Sequence, residues 1–420
     1  MEYIEICGGK KLSGSVALHG AKNSALPILA ACVLAGEKCV LENCPNLTDV
    51  TASLKILEYL GCRTHREDDV VEVDASSILP RDIPDELMHE MRSSIVFLGP
   101  MLARFKKVCV AMPGGCEIGL RPIDLHLSAL KKMGADISSE GGRLICTAQS
   151  GLHSARITLD FPSVGATENI MLAAVTASGK STVVNAAREP EIKDLADFLN
   201  SMGADVRGAG ESVIEIYGVE RLGGAHHRII PDRIAAATYM ACAAVTGSNI
   251  TLERVNCADL DPIIPVFEKM GCDIGCGDDC LHFAAPKLLI SPGEIRTMPY
   301  PGFPTDAQAV VMAACCVCYG TTVFTENIFE SRYKHVGELI RMGAKIKTEN
   351  RVAVVSGVSN LYGADVVSRD LRGGACLITA GLKAKGITRV TGLHHIDRGY
   401  ENIEENLASL GAQIKRVRNE

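Results

Sequence analysis

Two kinds of apolar pattern alternate along the chain. One is apolar on nearly every side at helical period, as in Ile234 to Val245 or Ala307 to Cys316, and a helix apolar on every face must be buried on every face. The other carries a single apolar stripe, as in Asp49 to Leu60 or Ile403 to Leu410, which predicts an amphipathic helix lying outside the first kind. Short stretches that alternate with polar residues, such as Ala204-Asp205-Val206-Arg207, predict strands. Each striped segment ends in the same phrase, a large apolar residue, then Gly, then Ala or Cys. It occurs at Gly61, Gly134, Gly203, Gly271, Gly343 and Gly411, at intervals of 73, 69, 68, 72 and 68 residues. Such regular spacing marks an internal repeat, and each glycine reads as the cap that ends a helix before a strand begins.

Between these glycines every unit reads as strand, turn, strand, loop, apolar helix, strand, loop, striped helix. Taken cyclically this is a β-α-β-α-β-β unit, of α/β class, and the simplest packing puts helices inside and sheets around them. The sixth unit stops after one strand, and the orphan segment Tyr3 to Leu18 has the pattern to complete it. The expectation is a two-domain inside-out α/β barrel of three units each. One domain spans residues 22–230; the other joins 1–21 to 231–420.

Composition narrows the function. The chain has 420 residues, 47% hydrophobic, with net charge -7, 4% aromatic residues and no Trp. That argues against a nucleic-acid surface built on basic and stacking residues. No apolar run reaches the roughly 20 residues of a membrane span, and the start Met1 to Gly9 lacks the basic and apolar segments of a signal peptide, so the cytoplasm is expected. Seventeen cysteines in so large a chain predict mostly free thiols in a reducing compartment. The clusters Cys272, Cys276, Cys280 and Cys315, Cys316, Cys318 lack the paired spacing of a zinc site, and neither a metal nor a cofactor is expected.

Aligning the repeat also aligns its loops, and cations gather there: Lys22, Arg92, Arg121, Arg188, Arg233, Arg332, Arg372 and Arg398. Singly, each could be a solvated surface charge. Together, in an acidic protein, they predict a cleft for substrates bearing several phosphates or carboxylates. The sequence has neither a P-loop nor a dinucleotide-binding glycine motif. Within Pro113-Gly114-Gly115-Cys116, glycines predict a mobile lid, and a thiol five residues before Arg121 is placed to be reactive, as acid or nucleophile, unless it is merely structural. Asp306, in Phe303-Pro304-Thr305-Asp306, stands at a helix start as either a cap or first-turn charge or a catalytic base.

These strings, with Gly20-Ala21-Lys22-Asn23, Ser163-Val164-Gly165-Ala166-Thr167, Ile230-Pro231-Asp232-Arg233 and His395-Ile396-Asp397-Arg398-Gly399-Tyr400, run over essentially the whole chain. They resemble the enolpyruvyl transferases, in particular those whose acceptor is UDP-N-acetylglucosamine. The resemblance implies transfer of the enolpyruvyl group of phosphoenolpyruvate to the sugar 3′-hydroxyl with release of phosphate, the first committed step towards peptidoglycan. Its implied partners are those two small molecules, with no nucleic acid and no membrane. Carried over, Lys22, Asn23, Arg121 and Arg398 hold phosphoenolpyruvate, Cys116 is the general acid, and Asp306 takes the hydroxyl proton. Arg92, Arg121, Pro122, Ile123, Asp124, Leu125, Phe161, Pro162, Ser163, Val164, Asp306 and Ile328 contact the UDP-sugar, while Glu189, Arg332, Asp370 and Arg372 support them. Thr48 stands where some members carry lysine, and the Gly373-Gly374 pair reads as loosening its loop. The alternatives are the sister reaction on shikimate 3-phosphate, a non-catalytic sensor of UDP-sugars, and an interaction scaffold; the joint presence of Lys22, Cys116, Asp306 and Arg398 argues against the sensor, and the eight aligned cations argue against the scaffold.

Overall fold

The repeated glycines set the frame. In the computed structural model, which describes residues 2–91, 93–111 and 123–418, all six adopt left-handed backbone, from φ 90° at Gly271 to 101° at Gly61. The residue after each glycine donates to the carbonyl five positions back, as from Cys62 to Leu57 at 2.9 Å and from Ala135 to Leu130 at 3.0 Å. This double-bonded stop satisfies the last helix carbonyls and turns the chain into a strand.

The chain forms two compact units. One holds residues 2–19 and 231–418, the terminal unit; the other is built within 20–230, the inserted unit. Each sheet is built on one repeat, some completed by a strand from elsewhere in the chain. In the repeat built on Val164–Ala174, strand Arg156–Thr158 runs parallel to Lys180–Val184, which pairs antiparallel with Val213–Tyr217, which in turn holds Asp205–Arg207 at the edge. The amino-terminal strand Glu2–Cys7 lies between Ile387–Thr391 and Gln413–Arg418, antiparallel to both, with Ile4 opposite Val390 and Arg416. Where the chain passes between units, strands stay with the unit they leave. Ser15–Ala17 pairs with Asn249–Glu253, and His226–Arg228 with Lys38–Glu42.

The apolar helices are buried as their composition demands. In Arg233–Thr246 every residue but Thr246 is buried, and in the terminal unit this helix, Thr305–Cys315 and Leu371–Lys383 all touch one another. The outer amphipathic helices show one buried stripe, as in Pro190–Ser201.

One repeat departs from the expected order. The sheet Lys107–Ala111, Arg143–Thr147, Asp136–Glu140 has three strands among the described residues, and Pro80 and Pro84 bracket the segment that should supply the fourth. Side chains replace that ladder: Cys109 N–H donates to Asp82 at 3.0 Å, and Arg143 to the Ile83 carbonyl at 3.4 Å. A helix not foreseen, Asp85–Glu90, follows. The cysteines are mostly free, as expected, with one exception. Fourteen described ones are free, but Cys257 and Cys276 form a disulfide with Cα atoms 6.1 Å apart. They stand 19 positions apart in sequence, and the segments that carry them meet because Asp273–Cys276 and Asn249–Glu253 pair on either side of Cys280–Ala284. No helix among the described residues is long and apolar enough to cross a membrane.

Candidate active site

In the terminal unit, helix Thr305–Cys315 has Pro304 at its N-cap and Asp306 in its first turn. The carboxylate is taken by two arginines. Arg332 Nη2 donates to Oδ1 at 2.7 Å and Arg372 Nη2 to Oδ2 at 3.0 Å. Both arginine side chains are buried, at 4% and 3% exposure, while Asp306 keeps 28%. Buried ions need further hydrogen bonds to offset their lost hydration. Arg332 finds the Thr305 carbonyl at 3.2 Å, and Arg372 the Tyr400 hydroxyl at 3.2 Å. Burial works against the Arg372 charge, yet Asp306, Tyr400 and Asp232 outweigh it and raise its pKa.

Glu326 locks the neighbouring loop to this helix. Its Oε1 accepts from the N–H of Ile328 at 2.9 Å and Phe329 at 3.0 Å, and its Oε2 from Thr305 Oγ1 at 2.9 Å, which leaves Ile328 half-buried. Asp370 caps helix Leu371–Lys383 by accepting from Gly373 N–H at 2.8 Å. The glycine pair is therefore not a loosened loop but a buried first turn. A side chain at Gly374 would meet Ser368 and come within 2.5 Å of Ile396 Cγ1. Ile396 ends the short helix Leu393–Ile396 that leads to the half-buried Arg398. The adjacent Asp397 is gripped by Arg416 through two bonds of 2.6 and 3.1 Å. His335, wholly enclosed, has neither ring nitrogen hydrogen-bonded among the described residues; burial, opposed by Asp370 and reinforced by Arg332, lowers its pKa to about 4.

In the inserted unit, Lys22 opens helix Lys22–Ala31, where a cation is unfavourable to the helix dipole. Asp49, in the first turn of Thr48–Tyr59, offsets this with a bond of 3.1 Å to Lys22 Nζ. Asn23 is half-buried beside it, and Thr48 is exposed. Ser24 and His227 both bond Asp194, the histidine at 2.8 Å, and so fix this helix start. Ser163 caps Val164–Ala174, accepting from Ala166 N–H at 3.3 Å; Pro162 and Val164 are half-buried, and Phe161 is 41% exposed. Thr167 joins that turn to the loop bearing Glu189, donating to the Ser163 carbonyl at 2.8 Å and accepting from Ala187 N–H at 3.0 Å. Glu189 accepts from Arg188 N–H at 3.0 Å. Ile123 is buried, Leu125 half-buried and Asp124 exposed at the start of helix Asp124–Lys132. Arg92, Cys116, Arg121 and Pro122 lie outside the described residues.

A family model described as EPSP synthase (3-phosphoshikimate 1-carboxyvinyltransferase) matches residues 6–407. UDP-N-acetylglucosamine 1-carboxyvinyltransferase 2 of Caldanaerobacter subterraneus subsp. tengcongensis is 48% identical over 417 residues, covering 99% of this chain and 100% of that one. The UDP-N-acetylglucosamine 1-carboxyvinyltransferase of Finegoldia magna is 47% identical over 420 residues, 99% of each chain. The chain belongs to the UDP-N-acetylglucosamine 1-carboxyvinyltransferase family. Among solved structures, the enolpyruvyl transferase NikO from Streptomyces tendae superimposes with a TM-score of 0.90 at 24% identity, over 99% of this chain and 98% of that one. An EPSP synthase from Acinetobacter baumannii gives 0.78 at 20% identity over all of both chains. Both share the α/β enolpyruvyl transferase fold, mixed sheets packed with helices.

Against that family background, the eight cations of the repeat are not equivalent. Arg332 and Arg372 are buried counterions of Asp306. Arg233 is buried with its guanidinium 5.7 Å from the centre of the Tyr300 ring, and Arg188 donates to the Gly210 carbonyl at 3.2 Å. The residues that sequence reasoning missed are Asp49, Asp194, Glu326 and Thr238, whose side chains bond Lys22, Ser24, Thr305 and Tyr400, and the enclosed His335. No motif flags them, since each is a single polar residue whose surroundings are assembled from distant parts of the chain. Among the described residues no group of His, Cys, Asp and Glu is placed to hold a metal ion.

Proposed function

We propose that the chain transfers the enolpyruvyl group of phosphoenolpyruvate to the 3′-hydroxyl of UDP-N-acetylglucosamine, releasing inorganic phosphate on the route to peptidoglycan. The carrying observation is full-length identity of 47–48% with relatives of that name. The doubly held Asp306 supports a mechanism. Asp306 accepts the hydroxyl proton as the sugar oxygen bonds to C2 of phosphoenolpyruvate, while Cys116 delivers a proton to the methylene carbon. Loss of a proton from the resulting methyl group, with cleavage of the C2–O bond to phosphate, restores the double bond. An acid and a base at opposite ends of the addition both lower its barrier. Lys22, Asn23, Arg121 and Arg398 are assigned to the phosphate and carboxylate of phosphoenolpyruvate. Arg92, Arg121 to Leu125, Phe161 to Val164 and Ile328 are assigned to the UDP-sugar. Arg332, Arg372, Asp370 and Glu189 hold these groups in place.

Each unit is read as an inside-out barrel, which the wholly buried apolar helices support. Both substrates are polyanions that do not cross a bilayer unaided, which supports a cytoplasmic location. The test is phosphate release from phosphoenolpyruvate with UDP-N-acetylglucosamine and, separately, with shikimate 3-phosphate. Release is expected with the first acceptor only, and release with shikimate 3-phosphate alone would overturn the assignment. Asp306→Asn is expected to lower kcat by about 100-fold or more, the usual scale of a lost proton acceptor.

A further inference from the structure

Three bonds connect Asp306 to the buried helix bundle, and the mechanism proposed above uses only the first. Arg372 Nη2 reaches Asp306 at 3.0 Å, Arg372 Nη1 reaches the Tyr400 hydroxyl at 3.2 Å, and that hydroxyl lies 2.8 Å from Thr238 Oγ1. Thr238 donates its own proton to the Ile234 carbonyl at 2.9 Å, so it accepts from Tyr400, and the tyrosine oxygen is left to accept from Arg372. Every donor direction in the chain is thereby fixed. Arg372 Nε is buried and has no hydrogen-bond partner among the described residues, so the guanidinium is oriented by Asp306 and Tyr400 through its two terminal nitrogens. Tyr400 is 3% exposed, and Arg372 and Thr238 are also buried. Burial raises the Tyr400 pKa, opposed by Arg372 and Thr238, so the phenol stays neutral and keeps the proton that it gives to Thr238.

We propose that Tyr400, seated on Thr238, is a positioning residue: its hydroxyl sets the orientation of Arg372, and through it the direction in which Asp306 presents its carboxylate for proton transfer. The proposal rests on the reading of Asp306 as the proton acceptor. A carboxylate held by one cation on each oxygen has little rotational freedom. Releasing one cation lets both turn, and misorientation of a proton-transfer group is costly even when substrate still binds. The charged groups facing this chain are Arg332 on the other Asp306 oxygen and Asp232 at the cap of Arg233–Thr246; Asp370 and the enclosed His335 lie on the adjoining elements.

Tyr400→Phe deletes the hydroxyl and keeps the ring, whose centre lies 5.5 Å from the guanidinium carbon. In steady-state phosphate release by the full chain with UDP-N-acetylglucosamine, kcat is expected to fall about 10-fold or more, the scale of a hydrogen bond to a charged group, with KM for both substrates nearly unchanged. The acid limb of the kcat profile is expected to move to higher pH, because a carboxylate that loses a fixed cation takes up a proton more readily. Thr238→Val should shift both readouts in the same direction by less, and Thr238→Ser should restore them. Wild-type kcat and an unmoved acid limb in Tyr400→Phe overturn the proposal, as does a loss confined to thermal stability with kcat per folded molecule unchanged. Full turnover by Asp306→Asn instead overturns the reading of Asp306, whatever Tyr400→Phe does.

Discussion

At the residue scale, what distinguishes these side chains is not their type but whether their charge is matched. Eleven of the free thiols are buried, and burial pushes Cys62 and Cys242 up to about 12, which leaves them without thiolate at neutral pH. Of the thiols that are not buried, which include Cys7, Cys109 and Cys280, Cys116 is the one expected beside Arg121, so an epoxide phosphonate such as fosfomycin is expected to add there, and peptide mapping that places the adduct on another cysteine would count against the assignment of Cys116 as general acid. His335 makes a second prediction. Its pKa falls from 6.5 unfolded to about 4 folded, so between those values the unfolded chain takes up a proton that the native one refuses. Stability is then fully present above about pH 6.5, drains away as pH falls, and by pH 4 has lost about 3 kcal/mol. Chemical denaturation across this window should show the slope in the wild type and a flatter one in His335→Gln.

At the element scale, the helices were legible in the sequence because their burial is written in composition: an all-apolar run has only one place to go. Their ends were legible too, since a Gly after a large apolar residue allows the left-handed stop seen at all six repeats. The missing strand before Lys107–Ala111 was not, because Asp82 and Arg143 bond there in place of a ladder, which a hydrophobicity pattern does not register. The Gly373-Gly374 pair was misread for a related reason: its smallness answers to neighbours on other elements. Gly374→Ala is expected to destabilise the chain by about 1–3 kcal/mol, the range of core overpacking. It presses on Ile396, so KM for phosphoenolpyruvate should rise through Arg398; an unchanged urea midpoint would show that the first turn has room.

At the scale of the whole molecule, the amino-terminal strand closes a sheet whose other strands lie beyond residue 364. Ile4 and Ile6 are completely buried, each worth about 1.5–3 kcal/mol of burial, and their strand is hydrogen-bonded on both sides. Deleting residues 1–7 is expected to lower the unfolding midpoint sharply or prevent folding of the terminal unit. A truncated chain with the wild-type melting curve would show that the sheet closes without it. The disulfide belongs to this scale as well, since neither cysteine carries a local sign of its partner.

The sequence by itself determined the repeat, the helix stops, the polyanion chemistry and the family, because each rests on periodicity or on long motifs read along the chain. Only the tertiary structure decided which charges are matched. Asp306 sits between Arg332 and Arg372, Lys22 against Asp49, and Tyr400 beneath Arg372, across separations of 26, 66, 27 and 28 residues. Coulombic and hydrogen-bond terms depend on distance in space and on burial. Both are fixed only when the separate repeats pack.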